Sequence, residues 1–118
     1  MKIKYFGYAG HFIGAPMCLF IITTQVGNYL ISSVGDYRPK GCYEKQEIVG
    51  GGKLFETMVF MTTENKCELS YCNCNMPEVV KWTPIDTIYA NTAGEAQNNH
   101  EKMIKKYKRE VIKWTRTK

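Results

Sequence analysis

The stretch MCLFIITTQVGNYLISSVGDY, Met17–Tyr37, decides how this chain is read. Cys18–Thr24 is almost continuously apolar, as expected of a central strand covered on both faces. Gln25-Val26-Gly27-Asn28 supplies residues that tolerate positive φ, so a reversal belongs there. Tyr29–Val34 returns as a strand of alternating character. The segments on either side read as additions to this hairpin: further strands on its edges and a helix across one face.

Working outward, Lys2–Tyr8 starts with alternation and carries the aromatics Tyr5, Phe6 and Tyr8, which predicts a first strand. Glycines at 7, 10 and 14 follow, without the spacing or the strand–turn–helix setting of a phosphate-binding loop. They predict a bulge or bend, with His11 in the loop. Pro16 marks the entry to the hairpin. Beyond it, Gly35–Gly41 reads as an exposed loop, and Gly50-Gly51-Gly52 as the hinge candidate. Leu54–Met61 is a predicted fourth strand in which Glu56 interrupts an apolar face. A strand edge where the carboxylate reaches water is the bland account of Glu56; a carboxylate held in the core is the sharper one. Thr63–Glu78 is a Cys/Asn-rich connection, and Val79–Tyr89 has strand character broken by Pro84.

Thr92-Ala93-Gly94-Glu95 is a capping box. It predicts a helix to about Trp114, with Ala96, His100, Met103, Tyr107, Val111 and Trp114 in one stripe. Lys102, Lys105, Lys106, Arg109 and Lys113 point away from it. The expected architecture is α+β: one domain over 1–118, an antiparallel sheet of four to five strands built on the 17–37 hairpin, covered by a helix at 93–114.

The apolar fraction of 44% and the aromatic fraction of 13% are those of a folded chain. The longest apolar run, Met17–Ile22, is too short to span a bilayer, and the N-terminal stretch makes a poor signal peptide. The expected location is the cytoplasm. Five cysteines without a secretion signal point to thiols or a metal rather than to disulfides. The net charge of +5 gathers at the C-terminus, where Glu101–Lys118 holds eight Lys/Arg against two Glu. Such a run meets phosphates or an acidic protein surface, or is simply the solvated face of a helix.

Three constellations bear on chemistry. Cys67, Cys72 and Cys74 are candidate ligands for zinc, although C-x-C is not the usual knuckle and a fourth ligand must come from elsewhere. Cys18 or Cys72 with His11 or His100 is a formal nucleophile–base pairing. Cys18 and His100, however, both fall on apolar surfaces where they are commonly structural. Tyr5, Phe6, Tyr8 and Phe12 beside Lys2 and Lys4 would suit base stacking, but no RNA-binding consensus accompanies them, and nucleic acid is not the favoured partner.

GHFIGAPMCLFIITTQVGNYLISSVGDYRP (Gly10–Pro39), KLFETMVF (Lys53–Phe60), the CxC-MPE segment (Cys72–Glu78) and TAGEAQNNHEKMIKKY (Thr92–Tyr107) cover most of the chain. Together they resemble a group of small proteins encoded by bacteriophages and prophages of gut bacteria. This chain has CNCNMP at Cys72–Pro77 where a tighter CGCP is expected of the group. The resemblance carries no catalytic residues with it. It implies a setting: a phage accessory protein, not an enzyme, that counters host immunity as an anti-CRISPR-type or other anti-defence inhibitor. Its partner would be a host defence protein or the nucleotide that activates one. For a nucleotide, the candidate residues are Tyr8, His11, Tyr37, Arg38, Lys40 and Lys53, as stacking rings, positive charge and backbone amides. For a protein they are Lys102, Lys105, Lys106, Arg109 and Lys113. A homo-oligomer is compatible with either. Two rival readings stay open: a zinc-stabilised domain, and a hydrolase or nuclease centred on His11 and Glu56.

Overall fold

The computed structural model describes residues 3–5, 18–38, 46–66, 77–80 and 83–116. Six strands and one helix follow in order: β1 Ile3–Tyr5, β2 Cys18–Val26, β3 Tyr29–Tyr37, β4 Phe55–Lys66, β5 Pro77–Val79, β6 Asp86–Ala90 and α1 Ala93–Arg116. The sheet is antiparallel, in the order β1-β2-β3-β4, and both β5 and β6 pair with the outer edge of β4. The α+β architecture built on the hairpin is therefore the one the sequence predicts. β4 is longer than expected: β6 takes its first half, through Phe55–Val59, and β5 pairs farther along at Thr62 and Lys66.

The hairpin turns on two residues, Gly27 and Asn28, and not on four. Gly27 has φ +58°, and a Cβ there would stand 2.7 Å from Val111 Cγ2, so the turn is also where the far end of α1 rests on the sheet. β3 runs through Gly35 and Asp36 to Tyr37, correcting the loop expected from residue 35 onward. Gly35 is buried against the Phe55 ring, and Asp36 takes φ 52°, an uncommon value for a residue with a side chain.

The triple glycine is likewise a defined turn instead of a hinge. The Lys53 N–H donates to the Gly50 carbonyl at 2.9 Å, and the Val49 N–H to the Lys53 carbonyl at 3.0 Å. Gly51 and Gly52 carry φ +57° and +72° between them. Positive φ at both central residues suits a tight two-residue reversal, and glycine meets that demand without steric cost.

Thr92 caps α1 as the capping box predicts. Its Oγ1 accepts from the Glu95 N–H at 3.1 Å, while its own hydroxyl faces Glu95 Oε1 at 3.3 Å. The helix then runs along the sheet. Ala96 packs with Phe55 and Ala90 at one end, and Met103 and Tyr107 with Val26, Ile31 and Val59 farther on. Burying these side chains offsets the entropy of ordering the helix, at roughly 1.5–3 kcal/mol for each large one. The Trp114 side chain lies outside the described residues.

Candidate functional site

The register of three strands places three hydroxyls beneath the middle of α1. Ser33 pairs with Thr57 in the β3–β4 ladder, and Thr24 lies diagonally across from Ser33 on β2. His100 projects between them. Its Nε2 is 2.8 Å from Thr24 Oγ1 and its Nδ1 2.7 Å from Ser33 Oγ, which in turn lies 2.7 Å from Thr57 Oγ1. A neutral imidazole has one donor and one acceptor nitrogen, and this pair of hydroxyls satisfies both. Only 1% of His100 is exposed, and burial pulls its pKa down to about 4. It is a polar core residue, closed to substrate.

Cys18 is also buried, and its thiol is pushed up to about 11, chiefly by burial and then by the nearby charge of Glu56. It stays protonated at neutral pH and is a poor nucleophile. Glu56 is half-buried in a strand paired on both sides, opposite Val34 and Tyr89, so the strand-edge account of it is corrected. Burial raises its pKa.

The outer face of α1 carries a row of cations. At about 100° per residue, Lys105, Lys106, Arg109 and Lys113 all lie within about 60° of Lys102 around the axis. Four of the five are spaced three or four residues apart, so they form a row roughly 16 Å long. All five are exposed, and the acids Glu101 and Glu110 fall on its two flanks. Lys106 reaches down to Asp86 of β6 at 2.6 Å, and the buried Tyr107 donates its hydroxyl to the same Asp86 oxygen at 2.9 Å. Lys113 lies 3.7 Å from Glu110, an exposed pair of little strength.

The remaining candidates gather elsewhere. Tyr37 ends β3, its carbonyl accepting from the Glu47 N–H at 2.8 Å, and Arg38 is held by Asp36 at 2.6 Å. Lys53 is exposed in the glycine turn, two residues before Phe55, which pairs with Gly35. Tyr37, Arg38 and Lys53 thus share the end of the sheet where α1 begins. The cationic row extends toward the opposite end, where Val111 meets Gly27. The two sets form two surfaces. Tyr8, His11, Lys40, Cys67, Cys72 and Cys74 lie outside the described residues. Among the described residues no group of three His, Cys, Asp or Glu is placed to hold a metal ion. None of the described helices is long and apolar enough to cross a membrane.

Sequence reasoning missed Asp86 and Thr24, Ser33 and Thr57. The signal for the hydroxyls was present in the strands: Thr24, Ser33 and Thr57 are polar residues at inward positions, which need a partner once buried. The chain matches no protein-family model, no curated protein and no solved structure.

Proposed function

We propose that this protein acts by binding, as a phage accessory protein that counters host immunity, and that the cationic row of α1 is its contact with an acidic surface of a defence effector. The row itself carries this reading. Five exposed cations of one sign, on a helix anchored by a packed opposite face, form a rigid positive strip. Such a strip steers and orients an acidic partner more than it stabilises its own fold. His100 and Cys18, the described residues that most resemble catalytic groups, are buried and committed to the core, which favours binding over catalysis.

The test is a plaque assay on strains that each carry one phage-defence system. The protein is expected to restore plaquing in at least one defended strain. A Lys102→Glu/Lys105→Glu/Arg109→Glu variant is expected to lose that effect with its melting temperature preserved, because exposed charges contribute little to stability. Failure of the wild type in every defended strain, or full activity of the triple variant, would overturn the proposal.

A second reading rests on the grouping of Tyr37, Arg38 and Lys53 at one end of the sheet. These offer a ring and positive charge to a nucleotide messenger. Asp36 already occupies Arg38 at 2.6 Å, which makes the row on α1 the stronger claim. Calorimetry with cyclic nucleotides decides it: binding that Lys53→Ala abolishes would favour the nucleotide.

A further inference from the structure

Beside the cationic row, the edge of the sheet exposes three large apolar side chains. Two backbone bonds tie Val80 and Ile85 to β4: the Val80 N–H donates to the Met61 carbonyl at 2.9 Å and the Ile85 N–H to the Val59 carbonyl at 2.8 Å. Val59 and Met61 are two residues apart, so Val80 and Ile85 are tethered to the strand within roughly 7 Å of one another. Val80 is 54% exposed, Ile85 49% and Met61 39%. Single exposed apolar residues are ordinary, but three at one edge make a ledge. Asp86, the residue after Ile85, holds Lys106 at 2.6 Å, so the start of β6 next to the ledge is tied to the row.

We infer that ledge and row form one surface, and that its occupant is an acidic, amphipathic segment of a partner protein. This rests on the reading of the row as a protein-binding strip and specifies what that strip recognises. A second copy of this chain is disfavoured because it would bring its own net charge of +5 against the same row. A nucleic acid would satisfy the cations but has no aliphatic side chains for the ledge. A segment with carboxylates on one side and Leu- or Phe-like residues on the other satisfies both. The charges govern encounter and orientation, and the apolar contacts govern how long the complex lasts.

Fluorescence anisotropy with two labelled synthetic peptides of equal negative charge tests this. One intersperses leucines among its glutamates and the other carries serine in their place. The leucine peptide is expected to bind at least about tenfold more tightly, a difference of about 1.4 kcal/mol. A Val80→Thr/Ile85→Thr variant, which keeps β-branched residues at both positions, is expected to erase that preference without altering the salt dependence. Met61→Gln should reduce it as well. Equal binding of the two peptides, or a preference that survives both variants, would overturn the ledge and leave the row intact. No binding of either peptide at low salt would overturn the row and the ledge together. Tighter binding of a DNA duplex than of the leucine peptide would overturn the inference in favour of nucleic acid.

Discussion

His100 Nδ1 and Ser33 Oγ lie 2.7 Å apart in the centre of the molecule, and this contact joins the helix to the sheet through a side chain that must stay neutral. The pKa of His100 falls from an ordinary 6.5 to about 4 because burial disfavours the imidazolium. The unfolded chain therefore takes up a proton more readily than the folded one between these values. Stability is complete above pH 6.5, falls as pH drops toward 4, and levels off below. Linkage puts the loss at about 2 kcal/mol by about pH 5 and about 3 kcal/mol by about pH 4. Urea denaturation of the wild type and of His100→Gln, compared across this range, checks it. The variant is less stable at neutral pH but lacks this component of the slope; parallel profiles would show that His100 does not titrate as argued.

Glu56 acts in the opposite sense. Its pKa is raised by burial, so the folded chain holds that proton more tightly, and at neutral pH the buried carboxylate costs stability. Glu56→Gln keeps the shape and removes the charge. It is expected to raise the melting temperature at pH 7, with the advantage disappearing in acid. A lower melting temperature at pH 7 would mean that the carboxylate is satisfied by contacts that outweigh its desolvation.

Three glycines rank themselves by what surrounds them. A Cβ on Gly35 would stand 2.0 Å from Phe55 Cδ1, and that ring is itself fixed edge-on against Phe20 at 5.2 Å between centroids. Gly35→Ala is expected to cost about 3 kcal/mol or more, as overpacking with no room to yield. Gly27→Ala combines φ +58° with a 2.7 Å approach to the half-buried Val111 at the rim of the core, and should cost about 1–3 kcal/mol. Gly52 has open space around it and only its φ of +72° to defend, so Gly52→Ala should cost about 1 kcal/mol and Gly52→Asn less. Chemical denaturation of the four variants gives the order directly.

The hairpin, the helix and its cap were legible because they rest on local rules: apolar runs, a glycine at the reversal, and a threonine with glutamate three residues on. What the sequence concealed depends on pairing between distant segments. Gly35 reads as a loop residue until Phe55 is placed opposite it, where only the absence of a Cβ admits the ring. Gly50–Gly52 reads as flexible until the Lys53 amide closes the turn. Lys106 was legible as a surface charge, but its anchor Asp86 lies twenty residues upstream on a different element, with no periodicity linking the two. The cationic row could be drawn from helical spacing alone. The ledge could not, because it depends on β5 and β6 sharing one edge of β4.

Asp86 receives two donors of different character, and they separate experimentally. Its pKa is lowered chiefly by the hydrogen bond from Lys106; burial opposes this, and the hydrogen bond from Tyr107 adds a smaller lowering effect. The carboxylate thus contributes stability above its unfolded pKa, and this is lost as pH falls through the depressed folded value. The Lys106 ammonium is half in water, with its side chain 53% exposed, so its attraction is screened and worth less than about 1 kcal/mol to the fold. The Tyr107 hydroxyl sits on a buried residue whose ring lies 4.5 Å from that of Tyr29. Its bond to a charged acceptor should be worth about 1.5 kcal/mol or more. Lys106→Gln is therefore expected to shift the Asp86 carboxyl titration upward most, as read by NMR, with little change in denaturation midpoint. Tyr107→Phe should move the titration less and the midpoint more. Added salt should shrink the first difference and spare the second. If Lys106→Gln instead proves the more destabilising, the helix is held to β6 by the ion pair, and the charge row on α1 is partly a structural element.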